Sequence, residues 1–233
     1  PGDEVITPSH TYFATVEVVA LLKLTPVFCE VNQDNFTMNV NEIEKLITPK
    51  TKAIVPVHLY GQSADMEPIL AIAKKHNLPV IEDSAQSLGS THKGKHAGTF
   101  SDLGCWSMYP AKVMTSGEGG FVGTNNKKLR DKLLMIRNHG MVHGYDTKIF
   151  GLNLRLPEIS AAIATIQMKK LSGFLKTRQK NSNLLSKLIS DLNVILPQQR
   201  KNENVNWYLY TIATSKRDKI LKKLNEKGIG AAS

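Results

Sequence analysis

Pro79-Val-Ile-Glu-Asp-Ser-Ala-Gln86 is a short apolar run that stops on two acids and a patch of small polar residues. The run Pro79 to Glu82 reads as a buried strand, and Asp83 falls at its carboxyl end. Open α/β sheets bind ligands in the crevice outside the carboxyl ends of their strands. Asp83 is therefore placed for a site.

Reading outward from this strand, short apolar runs alternate with amphipathic patterns on both sides. Before it, strands are expected at Val5 to Thr7, Pro26 to Val31 and Ala53 to Val57. Helices are expected at Thr15 to Leu24, Asn41 to Leu46 and Met66 to His76, the last with apolar positions Ile69, Leu70, Ile72 and Ala73 and with Asp65 as N-cap. After it, strands at Gly104 to Met108 and Gly120 to Thr124 precede a helix from Lys127 to Arg137. Pro157 opens a helix over Glu158 to Leu171, a position where its missing N–H costs nothing. A second helix runs from about Thr177 to Leu192, and Trp207 to Ala213 reads as a strand of a smaller domain. The fold class is α/β: a three-layer arrangement with a mostly parallel sheet flanked by helices, followed by part of a smaller α+β domain.

The chain has 233 residues, 41% of them hydrophobic, enough for a sizeable core. No run approaches the roughly 20 apolar residues of a membrane span, and no signal segment opens the chain, so a cytoplasmic protein is expected. Cys29 and Cys105 fit no metal or redox spacing and read as reduced thiols; no metal site is expected. The net charge of +10 is carried by Lys169-Lys170, Lys176 to Lys180 and Lys216 to Lys223, in helical segments without interleaved aromatics. That pattern fits a solvated surface better than a nucleic-acid platform.

Downstream of Asp83 lies Cys105-Trp-Ser-Met-Tyr-Pro-Ala-Lys112, directly before Gly117-Glu-Gly-Gly120. Lys112 and Asp83 together supply what pyridoxal phosphate chemistry depends on most, an imine-forming amine and a carboxylate for the pyridinium nitrogen. On residue type alone, Asp83 reads equally well as a turn aspartate, and a lysine taken at random lies on the surface. The glycine cluster lacks the GxGxxG spacing of a nicotinamide site.

Pro1-Gly-Asp-Glu-Val-Ile6, Val55-Pro-Val-His-Leu-Tyr-Gly61, Glu82-Asp-Ser-Ala-Gln86, Ser107-Met-Tyr-Pro-Ala-Lys112, Gly117-Glu-Gly-Gly120 and Gly151-Leu-Asn-Leu-Arg155 occur in one order over residues 1 to 171. As an ordered set they resemble the DegT/StrS-type sugar aminotransferases. The resemblance implies a fold-type-I pyridoxal 5'-phosphate enzyme, with an aspartate aminotransferase-like large domain, that moves an amino group from glutamate to a nucleotide-linked ketosugar.

Under that resemblance Lys112 is the Schiff-base lysine and Asp83 the partner of the pyridinium nitrogen. Gln86 faces the ring hydroxyl, Tyr12 stacks on the ring, and Ser107 binds the phosphate. Asn153 reaches the cofactor phosphate of a neighbouring subunit, which implies a homodimer with shared sites; on sequence grounds it is equally a loop asparagine beside Gly151. His58, Arg137 and His139 are candidate substrate contacts. Residues 1–165 are expected to form the cofactor-binding large domain and 166–233 the start of the small domain. Both are expected to be incomplete, because members carry an N-terminal helix that cradles the cofactor phosphate. A dehydratase on the same scaffold has histidine at the lysine position, so Lys112 speaks against it. A binding or regulatory protein that keeps the scaffold without activity is the remaining alternative.

Overall fold

A computed structural model describes all 233 residues. The chain begins with strand β1 (Glu4–Pro8), helix α1 (Ala14–Leu21), strand β2 (Thr25–Cys29), the short helix α2 (Val40–Ile43) and strand β3 (Thr51–Ile54). Helix α3 (Met66–Lys75) leads to β4 (Ile81–Asp83), the hairpin β5 (Thr91–His92) and β6 (Lys95–His96), and the strand pair β7 (Leu103–Ser107) and β8 (Gly120–Gly123). Helix α4 (Lys127–Arg137), the long helix α5 (Glu158–Leu188), strand β9 (Glu203–Asn204) and helix α6 (Arg217–Glu226) complete it.

β1 pairs in parallel with β2 and β3, and β4 pairs in parallel with β7. Parallel bridges Ile54 to Val80 and Val57 to Asp83 join the two groups, giving the order β2-β1-β3-β4-β7-β8. Only the last strand, β8, runs antiparallel to its neighbour. Alternation along β1 explains the layers. Val5 packs with Val19 of α1 and Ala53 on one face, while Ile6 packs with Met38, Ile43, Ile54 and Ile69 against α2 and α3 on the other. The expected mostly parallel, three-layer sheet is what the chain forms.

Asp65 stands at the N-cap of α3, the position expected, with no capping bond from its side chain. Two local expectations are corrected. The helices expected at 158–171 and 177–192 are one 31-residue helix. A helix-interior glycine such as Gly173 costs only about 1 kcal/mol, and packing outweighs that here. Leu175 lies where a Cβ on Gly89 would stand, and Arg178 and Gln179 bond the Trp207 region. α5 therefore runs straight through the expected boundary at residue 165. Finally, Trp207 to Ala213 is not a strand. Trp207 has φ 52°, Tyr208 donates its N–H to Asn206 Oδ1, and only Ala213 forms a bridge, to Ile195. Backbone groups occupied by side chains cannot form a ladder.

No helix is long and apolar enough to cross a membrane. No cluster of three or more His, Cys, Asp or Glu could hold a metal ion.

Candidate active site

The parallel pairing of β4 with β7 aligns Asp83 with Cys105, so the loop after β7 leaves the sheet at the edge where β4 ends. The loop after β1, which carries Tyr12 and leads into α1, leaves at the same edge. Three sequence-distant segments thus meet at the carboxyl ends of the strands, where an open sheet forms its crevice.

Asp83 is held on both oxygens. Thr15 Oγ1, in the first turn of α1, donates to Oδ2 at 2.7 Å, and the Ala85 amide donates to Oδ1 at 3.0 Å. The Ala85 bond is the turn role anticipated from residue type, and it coexists with the placement at the site. Two donors on a carboxylate fix its direction. Lys112 is half-buried in the β7–β8 loop, its amide bonded to the Tyr109 carbonyl at 3.0 Å. Burial pushes its amine below the ordinary lysine value, while the Asp83 charge pulls upward without restoring it. A lysine that titrates lower has a larger neutral, nucleophilic fraction at a given pH. The structure thus brings Lys112 into the field of Asp83.

Gln86 follows in the same turn, and its Oε1 accepts the Tyr60 amide at 2.7 Å. The Tyr12 side chain is 71% exposed at the mouth of the site, leaving an aromatic face for a planar ligand. Ser107 ends β7, where its Oγ accepts the Tyr109 amide at 3.2 Å and keeps its own proton to donate. Gly119, at φ 127°, turns the chain into β8 and accepts the Met108 amide.

Arg137, His139 and Asn153 form a second group. Arg137 ends α4, its carbonyl accepts the Leu154 amide, and Asn153 bridges Asn138. All three side chains are exposed, and Asn153 Oδ1 accepts from Arg155 Nε at 2.8 Å. No hydrogen bond links this group to Asp83 or Lys112. His58 departs from its expected place among substrate contacts. It is fully buried, with Nδ1 accepting the Ala64 amide at 2.9 Å and Nε2 lying 2.8 Å from Glu82 Oε2. With both ring nitrogens engaged inside the core, it offers nothing to a substrate.

Cys29 and Cys105 are free thiols. Burial pushes Cys105 up to about 11, and the charges of Asp83 and Glu82 add to the rise, so it remains a neutral thiol beside the site.

Sequence reading missed three contributors. Thr15 was hidden in plain view, three residues after Tyr12. Asn206 and Tyr208 carried no local signal at all, because they reach the site by long-range folding. Asn206 is 1% exposed, and its Nδ2 donates to the Gln86 and Leu88 carbonyls at 2.9 and 3.0 Å. That bond requires Gly61, which has φ 96° and an ideal Cβ position 1.9 Å from Asn206 Oδ1. Gly61→Ala is expected to lose about 1–3 kcal/mol from backbone strain alone, with Asn206 displaced in addition. An unchanged urea midpoint in the full-length protein would contradict this packing.

Comparison with known proteins places these features in context. A family model described as "DegT/DnrJ/EryC1/StrS aminotransferase family" matches residues 1–233. The chain is 39% identical over 233 residues to a UDP-N-acetyl-3-dehydro-alpha-D-glucosamine 3-aminotransferase of Acidithiobacillus ferrooxidans, covering 100% of this chain and 63% of that one. It is 40% identical to a "Pleiotropic regulatory protein" of Geobacillus stearothermophilus, covering 98% and 63%. Among solved structures, S. venezuelae DesV in complex with a ketimine intermediate superimposes with a TM-score of 0.95 at 36% identity, over 99% of this chain and 62% of that one. The chain thus spans somewhat less than two thirds of the length of these relatives.

Proposed function

Since this chain belongs to the DegT/DnrJ/EryC1/StrS aminotransferase family, we propose that its site serves a pyridoxal phosphate-dependent transfer of an amino group from glutamate to a nucleotide-linked ketosugar. The observation that carries the reading is the half-buried Lys112 amine, lowered by burial, in the field of an Asp83 held on both oxygens. The donor set fits the cofactor: an amine for its aldehyde, a fixed carboxylate for its ring nitrogen, the exposed Tyr12 ring for its face, Gln86 for its hydroxyl and Ser107 for its phosphate.

When bound, pyridoxal phosphate supplies an electron sink for charge developing on the amino acid's α-carbon. The protein's own groups do the rest. Lys112 acts as a nucleophile while neutral, and once released it carries a proton from one carbon to the next. Asp83 would hold a proton on the ring nitrogen, and Thr15 and Ala85 keep Asp83 pointed. In this reading Asn153 reaches across to the phosphate of a second subunit in a homodimer, while the exposed Arg137 and His139 stand for substrate anions. Residues 1–165 serve as the cofactor domain and 166–233 as the start of the second. Biosynthesis on nucleotide-linked sugars would place the protein in the cytoplasm.

The test uses the full-length protein with pyridoxal phosphate, glutamate and nucleotide-linked ketosugars. Formation of 2-oxoglutarate and an aminosugar, seen by mass spectrometry, is expected. A full-length protein that binds no cofactor and forms neither product would overturn the proposal. It would instead favour a regulatory role, for which the name of the Geobacillus relative is the specific support. Asp83→Asn keeps the Thr15 bond but removes the charge, so kcat/KM should fall about 10- to 100-fold, the worth of a charge-assisted hydrogen bond. An Asp83→Asn enzyme with wild-type kinetics would show that the carboxylate faces no cofactor.

A further inference from the structure

Lys112 Nζ lies over the ring of Tyr208, 4.7 Å from its centroid. A lysine ammonium within about 6 Å of an aromatic face is attracted by the ring quadrupole, most strongly where water is partly excluded. The ring's backbone is anchored from two sides. Tyr208 N donates to Asn206 Oδ1 at 2.9 Å, and Arg178 Nη1 of α5 donates to the Trp207 and Tyr208 carbonyls at 2.7 and 3.4 Å. Asn206 in turn is bonded to the carbonyl of Gln86, in the turn that follows Asp83. The backbone bearing the ring is therefore tied to the turn whose aspartate acts on Lys112. A surface tyrosine meeting a lysine by chance would show no such chain of bonds.

We propose that Tyr208 is a positioning residue for Lys112: its ring face holds the protonated amine beside Asp83 whenever the amine is not covalently engaged. This rests on the reading of Lys112 as the reactive amine. Its consequence for the reaction is that the proton-bearing lysine returns to one place after each release, instead of sampling the several rotamers open to a long side chain. The groups that act on the amine are Asp83 from β4 and the Tyr208 ring, while Arg178 of α5 bonds the Tyr208 carbonyl; a variant at Tyr208 leaves Asp83 and Arg178 in place.

The experiment measures the pH dependence of Lys112 acetylation in the full-length protein, quantified on the Lys112 peptide by mass spectrometry, for wild type, Tyr208→Phe and Tyr208→Leu. Phe keeps the ring face; Leu keeps apolar bulk without it. Loss of the ring destabilises the ammonium, so Tyr208→Leu should titrate lower and react about two- to fivefold faster on the rising limb of the profile. Tyr208→Phe should overlay the wild type. A Tyr208→Leu profile identical to wild type would overturn the proposal, as would a Tyr208→Phe profile shifted as far as that of Leu, which would place the effect in the hydroxyl. A parallel borohydride reduction with pyridoxal phosphate separates the two readings. Wild-type protein that fixes no cofactor on Lys112 defeats the aminotransferase reading, whereas a fixed adduct with unshifted Tyr208 variants defeats only the positioning role.

Discussion

Lys112→Ala in the full-length protein is expected to abolish borohydride-dependent fixation of pyridoxal phosphate and to lower kcat/KM by at least about a thousandfold, because in the proposed reaction one amine would supply both the covalent attachment and the proton transfer. The stability of the fold should barely change. Lys112 sits in the β7–β8 loop, and its only hydrogen bond is through the backbone, to the Tyr109 carbonyl. Lys112→Arg sharpens the test. Arginine keeps the positive charge facing Asp83 and the cation over Tyr208, but it does not deprotonate at any pH the protein tolerates. If Lys112 served only as a charge partner of Asp83, arginine would restore function; if it is a nucleophile, arginine should be as inactive as alanine. A Lys112→Ala enzyme retaining more than about a tenth of wild-type kcat/KM would mean the chemistry resides elsewhere.

The contrast between Asp83 and Tyr208 shows what could be read in the sequence and what could not. Asp83 closes an apolar run, and strand polarity alone puts its end at the ligand-binding edge. Its order with Lys112 and the glycine cluster then narrows the chemistry. The parallel sheet was equally legible, because buried strands and amphipathic helices leave their periods in the chain. The helix expected to end at Leu171 and to resume at about Thr177 is continuous, because packing of Leu175 against the Gly89 turn and bonds from Arg178 hold α5 together. His58 misled through its neighbourhood, since a histidine in a motif near a site invites a substrate role that its buried pairing with Glu82 denies. Tyr208 and Asn206 could not be read at all. Their contacts span more than a hundred residues of sequence for Asn206 with Leu88 and Gln86, and no local pattern encodes such a closure. The apparent β pattern of Trp207 to Ala213 was in fact a segment whose backbone serves this anchor.

Glu82→Gln is expected to cost about 1–3 kcal/mol for each buried donor it leaves without an acceptor, a large part of the roughly 5–15 kcal/mol that holds an ordinary domain folded. The Glu82 side chain is fully buried and faces only donors. Its Oε2 lies 2.8 Å from His58 Nε2 and accepts the Gly98 amide at 2.7 Å, while Oε1 accepts both the amide and the hydroxyl of Ser101, at 2.7 and 2.8 Å. His58 cannot switch to an acceptor on this side without presenting a second N–H to the Ala64 amide, which already donates to Nδ1. A glutamine therefore places an NH2 group against both the His58 and Gly98 N–H groups in one orientation and against the Ser101 amide in the other, where only the Ser101 hydroxyl can turn to accept, so no rotamer satisfies the network. Burial pushes the Glu82 carboxyl up, but the His58 and Ser101 hydrogen bonds outweigh it and hold the group below its ordinary value. The sign follows directly. A depressed carboxylate stabilises the fold fully above the ordinary glutamate value of 4.5 and loses that contribution as pH falls through the folded value. Glu82→Gln should thus lower the urea midpoint strongly at pH 7, and the gap to wild type should narrow in acid below about pH 4.5. Because Glu82 immediately precedes Asp83 on β4, the damage should also spread to cofactor binding. A midpoint within about 1 kcal/mol of wild type at pH 7 would mean that the buried carboxylate is not the acceptor on which these four donors depend.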